Sequence, residues 1–365
     1  VINFKMRILH VYQVYLPDDF TGIPRVIWDL CEGMGDFGVE SEVLCLTNVP
    51  PRNSIRFGNH LVHYARRDVT LASASLSLDV FFKFRKLIDK YDIIHYHYPW
   101  PVGDVLHLVF GRKKPSLITY HSDIVKQKFL RKLYSPIEAL FLGSVNKIVS
   151  TSPNYSLSSK NLMKFKDKVS VIPIGLPDRT MPNSENFEKW QSRVGTGFFL
   201  FVGSLRYYKG LSFLIDAARE TGLPVVIAGR GSLPEINLPK NVKYVGEVSD
   251  DDKECLLSLC RAFVFPSHLR SEAFGVALLE AARAGRPMIS CEIGTGTSFV
   301  NLQNQTGYVI TPKNVPHLVN AMRLLAASDK DCERFGKNAV ARYQKLFTAS
   351  QMCKTYNQIY QGLRF

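Results

Sequence analysis

Short apolar runs separated by amphipathic stretches recur along the whole chain, and a single break divides them into two arrays. Val, Ile, Leu and Phe fill runs at about 6–12, 42–46, 60–64, 92–96, 116–120, 147–151 and 169–172. Most are continuous rather than alternating, which is what parallel strands covered on both faces require. Helical spacing predicts helices over about 22–37, 77–90, 124–142 and 153–165. Residues 173–197 then gather Pro173, Gly175, Pro177, Pro182, Gly195 and Gly197 among polar residues, which reads as a linker. The pattern restarts at Phe198-Phe199-Leu200-Phe201-Val202, with further strands at 224–228, 242–245, 262–265, 287–290 and 307–310 and helices between them. Two successive βα arrays predict an α/β chain of two doubly wound, Rossmann-like domains. A length of 365 residues fits two domains better than one. The boundaries expected are 1–176, a linker over 177–197, a second domain over 198–345, and a last helix within 346–365.

Ligands of such sheets bind beyond the carboxyl ends of the strands. His121, Gly203, Gly229 and Ser267 all fall just after predicted strands. The densest chemistry lies in Ser271-Glu272-Ala273-Phe274-Gly275-Val276-Ala277-Leu278-Leu279-Glu280, where two carboxylates stand eight positions apart. It follows the run Ala262–Phe265, stopped by Pro266, and leads into a helix that ends near Gly285. Glu272 is therefore placed in the loop and Glu280 about two turns into the helix. Amides around Phe274, Gly275 and Val276 would be open donors at the helix start, suited to an anionic or hydroxyl-rich ligand. The competing reading is a solvated helix that happens to carry two glutamates.

The glutamate pair resembles the E-x7-E element of the retaining glycosyltransferases of family 4, which have the two-domain GT-B fold. Other segments fit that family in the same order. Met6–Tyr12 is similar to its opening strand, Thr21-Gly22-Ile23-Pro24-Arg25-Val26 to the following glycine loop and helix, and Tyr120-His121-Ser122-Asp123 to its histidine after an inner strand. Phe201-Val202-Gly203-Ser204-Leu205-Arg206-Tyr207-Tyr208-Lys209-Gly210 resembles its phosphate-binding strand and loop, and Ile227-Ala228-Gly229-Arg230-Gly231 its small glycine turn. The stretches Tyr120–Lys128 and Ile293–Asn301 resemble, more narrowly, bacterial O-antigen mannosyltransferases that use GDP-mannose. One departure stands out: the family places Arg directly after the strand glycine, whereas this chain has Ser204 there and Arg206 two residues later.

The resemblance implies a nucleotide-sugar donor, most of it held by the second domain, across a cleft from an acceptor on the first. Its diphosphate needs fixed positive charge as the sugar bond breaks. Lys209 is the first candidate for that charge; Arg206 could reach the same phosphate from its shifted place, or Lys209 could act with Arg230 instead. Gly22 fits a close approach of backbone to phosphate or sugar, or simply a turn. Glu280 would accept hydrogen bonds from the ribose diol, and Glu272, helped by amides near Phe274 and Gly275, from hydroxyls of the transferred sugar. His121 would contact that sugar from the first domain, although a buried core histidine is the plainer reading of the ring alone. His121, Lys209 and Glu272 thus carry the catalytic assignment; Gly22, Arg206, Lys209, Arg230, Glu272, Phe274, Gly275 and Glu280 carry donor binding. The last helix would cross back to the first domain.

No cofactor other than the donor is expected, and no metal. Asp250-Asp251-Asp252 contains an Asp-x-Asp, but it follows Ser249 and opens a helix, so it reads as a cap with acids in the first turn. His95 and His97 alternate on one strand with no third ligand nearby in sequence, and read as structural or acceptor-lining. Seven scattered cysteines without a Cys-x-x-Cys pair argue against a disulfide framework and for a reducing cytosol. No apolar run reaches the roughly 18 residues of a membrane span. Val1–Lys5 is too short for a signal peptide.

The net charge of +14 is concentrated between residues 112 and 168, which hold twelve Lys and Arg against three acids. Phe129, Leu133, Ile137 and Leu140 recur there at helical spacing among Lys126, Lys128, Arg131 and Lys132. Such a helix can lie on an anionic leaflet, which would set the protein at the inner face of the cytoplasmic membrane beside a lipid-linked glycan acceptor. A core helix with a solvated basic face is the alternative. Nucleic acid is not expected, since no helix-turn-helix, zinc finger or RNA-binding sheet signature is present. The function anticipated is transfer of a sugar, mannose from GDP-mannose, onto a lipid-linked glycan of a bacterial surface polysaccharide. A UDP- or dTDP-sugar donor, or a sugar-nucleotide epimerase of the same architecture, is the alternative.

Overall fold

The computed structural model describes residues 6–71, 74–124, 128–233 and 237–364, with the backbone alone for 128–133. Val1–Lys5, Lys126 and the side chains of Lys128, Phe129, Arg131, Lys132 and Leu133 lie outside that description. The chain divides into two compact units, one of residues 1–177 with 349–365 and one of residues 178–348.

The first unit is built on an eight-stranded sheet. Its strands are β1 (Met6–Val11), β2 (Val39–Thr47), β3 (Ile55–Phe57), β4 (His60–Arg66), β7 (Ile93–Tyr98), β8 (Ser116–Tyr120), β9 (Lys147–Ser150) and β10 (Val169–Val171), and a separate hairpin pairs β5 (Val69–Leu71) with β6 (Ala74–Leu76). The order is β10-β9-β8-β7-β1-β2-β4-β3, parallel except for the edge pair β3–β4. Strand order therefore reverses at β1 and β7, the place where doubly wound sheets open a crevice. All six residues of β7 are buried, so His95 and His97 sit in the sheet's interior and must be paired there. The helix Ala349–Leu363 also belongs to this unit. Its buried Met352, Cys353, Tyr356 and Tyr360 follow helical spacing, and the hydroxyls of Tyr356 and Tyr360 reach Thr119 and His95, each at 2.7 Å.

The second unit carries six parallel strands: β11 (Phe199–Val202), β12 (Val225–Ala228), β13 (Val242–Gly246), β14 (Ala262–Phe265), β15 (Met288–Cys291) and β16 (Gly307–Ile310). Their order, β13-β12-β11-β14-β15-β16, reverses between β11 and β14. Phe199, Phe201, Leu214, Ile215, Ile227, Val264, Ile289 and Met322 form its core. The helix Asp250–Leu259 opens on a capping box: Ser249 accepts from the Asp252 amide, and Asp252 accepts from the Ser249 amide.

Two local expectations change. The stretch 177–197 is not simply a linker, because Ser184–Val194 is a helix capped by Asn183. Its Trp190 is buried and donates its indole N–H to Asp252 at 2.7 Å, so this segment belongs to the body of the second unit. The single helix expected over 153–165 is two, Pro153–Ser158 and Lys160–Lys164. Ser159 breaks it by capping the second piece, while its hydroxyl donates to Asp123 at 2.7 Å.

Candidate functional site

In the second unit the candidate residues gather at the carboxyl ends of the strands, around the point where strand order reverses. Three loops meet there. Leu205 donates its amide to Arg230 O at 2.8 Å, which ties the loop after β11 to the glycine turn after β12. His268 donates its amide to Tyr208 O at 2.9 Å, which ties that same loop to the one after β14. Gly210 closes the turn with φ +74°, and a Cβ there would stand 2.2 Å from Pro266 O, so only glycine allows the approach.

Lys209 and Glu272 are brought together by this arrangement. The Lys209 ammonium pairs with the Glu272 carboxylate, and both side chains are only 12% exposed. Ser267 adds a hydroxyl at 3.3 Å from the same carboxylate. The Lys209 Nζ lies 4.7 Å above the Phe265 ring, which walls the ammonium on its apolar side. One residue follows β11 and the other β14, so the pair bridges the two strands that flank the crevice.

The helix Val276–Arg283 starts at Gly275 without a side-chain cap. The amides of Phe274 and Gly275 donate to no protein acceptor among the described residues. Phe274's ring is buried against Phe347, so this residue offers a ligand its backbone only. Glu280, two turns along, is paired with Lys253 at 2.6 Å, and Lys253 also donates to Asp250 at 2.8 Å. Burial pulls the Lys253 pKa down, and these two carboxylates more than offset it, leaving it raised. Lys253 was not singled out in the sequence, where it follows three aspartates and reads as part of a helix cap.

The two arginines differ. Arg206 is exposed at the start of the turn Tyr207–Lys209. Arg230 is exposed too, but its guanidinium holds Glu247 through bonds of 2.8 to 3.1 Å. A phosphate would therefore compete with Glu247 for Arg230.

Gly22 and His121 belong to the first unit. Gly22 caps the helix Ile23–Met34 with φ +59°, and among the described residues nothing lies within 4 Å of where a Cβ would be. Glycine is thus needed for the backbone angle, and the space over it is open. Asp19 orders the approach to it by accepting from the Thr21 amide and hydroxyl at 2.8 and 2.7 Å.

His121 is buried after β8 and donates its amide to Tyr98 O at 3.0 Å. Its Nε2 meets His97 Nδ1 at 3.1 Å, and His97 Nε2 meets His10 Nδ1 at 3.1 Å. Burial pushes the pKa of His10 and His121 down to about 3, and those of His95 and His97 well below the usual imidazole value. These rings are neutral near pH 7.

The third ligand that the sequence around His95 and His97 lacks is supplied in space by His10, whose partner in the ladder is His95. One nitrogen from each of the three lies within 4.8 Å of the others. His95, however, already bonds Tyr360 and Thr119 with its two nitrogens, and His97 bonds His10 and His121. A cation would have to displace those bonds in a site where the ring nitrogens bring no negative charge.

Comparison with known proteins fixes the family. The chain is 47% identical to the D-rhamnosyltransferase WbpZ of Pseudomonas aeruginosa, covering 94% of this chain and 93% of that one. It is 45% identical to the O-antigen chain mannosyltransferase C of Escherichia coli, covering 98% and 99%. The chain belongs to glycosyltransferase family 4. The pattern of that family, described as Glycosyltransferase Family 4, matches residues 20–179, and that of Glycosyl transferases group 1 matches residues 182–342. The epimerase alternative is thereby replaced by a glycosyltransferase. Among solved structures, the sucrose-phosphate synthase of Thermosynechococcus elongatus superposes with a TM-score of 0.79 at 18% identity, over 98% of this chain and 99% of that one. Anabaena Alr3699/HepE in complex with UDP superposes at 0.75 and 16% identity, over 98% and 100%. These are GT-B neighbours and bear on the fold.

Proposed function

We propose that this family 4 glycosyltransferase moves mannose from GDP-mannose, with retention of configuration, onto a lipid-linked glycan during bacterial O-antigen synthesis. The observation that carries the reading is the Lys209–Glu272 pair across β11 and β14, beside the open amides of Phe274 and Gly275. The names of the two relatives near half identity support the sugar class.

The chemistry follows from the groups present. A donor diphosphate would take the Lys209 ammonium from Glu272, leaving that carboxylate to accept from hydroxyls of the sugar. Glu280, held in place by Lys253, would accept from the ribose diol. The bond from the anomeric carbon to the phosphate oxygen breaks, and the acceptor hydroxyl bonds to the same face. Its proton passes to the leaving phosphate, so no enzymic nucleophile is needed. Charge growing on the diphosphate is met by Lys209, the amides and Arg206 or Arg230. His121 would contact the sugar from the first unit. On this reading no metal ion is required.

The acceptor's lipid calls for a membrane surface. No helix among the described residues is long and apolar enough to cross a membrane. Leu140, Leu157 and Met163 are exposed in a region that also exposes Lys160, Lys164 and Lys166. Lys114 and Lys168 are already bonded to main-chain carbonyls, so they contribute less to this basic surface than their charge suggests. Sedimentation with phosphatidylglycerol vesicles, weakened by salt and absent with phosphatidylcholine, is the expected result. Equal binding to both would sink the membrane part of the proposal.

The test of function is transfer of labelled sugar from GDP-mannose to a lipid-linked glycan, with and without EDTA, followed by NMR of the new anomeric centre. Transfer with an axial, retained linkage unaffected by EDTA is expected. GDP-D-rhamnose, the same hexose without its C6 hydroxyl, is the second donor to try, because one relative is a D-rhamnosyltransferase. Transfer only from UDP- or dTDP-sugars would discard the donor.

A further inference from the structure

Three imidazoles form a file across the reversal point of the first sheet. His10 stands on β1, His97 on β7, and His121 just after β8. Their rings stack at 5.4 Å from His10 to His97 and 5.4 Å from His97 to His121. Both contacts join ring nitrogens, at 3.1 Å each. At the inner end, His10 Nε2 is sealed from solvent and has no hydrogen-bond partner among the described residues. At the outer end, His121 Nδ1 has no hydrogen-bond partner among the described residues, and His121 keeps 6% of its surface exposed where His10 keeps none.

A neutral imidazole has one N–H and one bare nitrogen. His97 must therefore give with one nitrogen and receive with the other, and both bonds must run the same way. Only two arrangements satisfy this. In the outward one, His10 Nδ1–H donates to His97 Nε2, His97 Nδ1–H donates to His121 Nε2, and His121 is left with Nδ1–H. In the inward one every proton is on Nε2, and the last N–H is His10 Nε2–H, buried without an acceptor. A sealed N–H with nothing to meet is the rarer and costlier defect.

We infer that His10 and His97 are positioning residues that fix His121 as its Nδ1–H tautomer, so that His121 offers the ligand a hydrogen-bond donor rather than an acceptor. The group it serves is an uncharged oxygen acceptor such as a sugar hydroxyl or ring oxygen. The inference rests on reading His121 as a ligand contact, but the tautomer itself does not depend on that reading. The neutral state follows from burial, which keeps His10 and His121 unprotonated. His95 stands outside the file: it stacks on His97 at 4.3 Å but turns its nitrogens to Tyr360 and Thr119. The ring nearest the ligand is thus oriented by two rings behind it, as the hydrogen bond at one imidazole nitrogen sets the proton at the other.

The experiment is long-range 15N–1H NMR of the full chain labelled in histidine, with signals assigned by H10N, H97N and H121N. His121 should show a protonated Nδ1 and a bare Nε2. An Nε2–H tautomer, or averaging between the two, would overturn the inference. Adding GDP-mannose should shift the His121 Nδ1 signal; if it does not while the tautomer is as stated, the ligand reading fails and the tautomer stands. Two variants separate position from bulk. H97Q keeps a donor and an acceptor on one side chain and should hold kcat within a few-fold of the parent. H97L removes both and should lower kcat about tenfold, roughly the weight of one hydrogen bond, with donor KM little changed. Equal kcat in the two variants would contradict the assignment.

Discussion

At the scale of single residues, the charges proposed to meet the donor are already paired before it arrives. Lys209 is held by Glu272, and Glu280 by Lys253. Lys209→Ala should lower turnover by about 10²–10³-fold, the usual effect of removing one group that meets developing charge, with a smaller change in donor KM. Steady-state kinetics with labelled donor would read this, and near-normal turnover would remove Lys209 from the diphosphate. Glu280→Ala has two consequences. It removes the acceptor proposed for the ribose, which should weaken donor binding about tenfold. It also leaves Lys253 with the exposed Asp250 as its remaining partner, which should cost about 1–3 kcal/mol in urea unfolding. Adding Lys253→Met to Glu280→Ala should recover stability and leave donor binding weak. Joint recovery of both would make Glu280 a structural group only.

At the scale of elements, the loops that carry these charges depend on backbone that other residues cannot adopt. Gly210→Ala would press a Cβ against Pro266 O in a left-handed turn. It should cost about 1–3 kcal/mol and reduce turnover by displacing Lys209, as measured by denaturation and by kcat. An unchanged variant would mean that the turn relaxes freely. The elements themselves were largely legible in the sequence, because a parallel strand is a short apolar run closed by Gly or Pro, as in Ala262–Phe265 before Pro266. Helices with tertiary reasons were harder. Ser184–Val194 lies in a stretch dense in Pro and Gly and is settled by the docking of Trp190 on Asp252. Pairings across elements were not legible at all. His10 and His97 are 87 residues apart, and Lys253 and Glu280 are 27 apart, so each contact depends on strand order and helix placement that spacing does not encode. The glutamate spacing was legible because it lies within one loop and one helix.

At the scale of the molecule, each unit repeats one plan: a largely parallel sheet whose order reverses, with the candidate residues toward the carboxyl ends of strands around the reversal. The first unit fills that place with neutral histidines, and this gives the fold a pH dependence of known sign. In the unfolded chain these rings titrate near 6.5; in the folded chain His10 and His121 titrate at about 3. Below about 6.5 the unfolded state takes up protons that the folded state refuses, so stability present above that pH is lost as pH falls toward about 3. Each such histidine steepens the loss by up to about 1.4 kcal/mol per pH unit. Urea midpoints should therefore fall steadily from pH 7 to pH 5 and flatten in variants such as His10→Asn; a flat profile in the parent would mean that the rings are protonated in the fold. The second unit carries the central claim, that its Lys209–Glu272 crevice holds a guanosine diphosphate sugar without a metal. Thermal unfolding of the full chain with GDP, UDP or dTDP, each with and without EDTA, tests it most directly. A ligand at a hundred times its Kd adds about 2.7 kcal/mol, a visible rise in Tm. A rise with GDP alone, unchanged by EDTA and reduced in Glu280→Ala, is expected; no rise with any of the three, or a rise that EDTA abolishes, would contradict it.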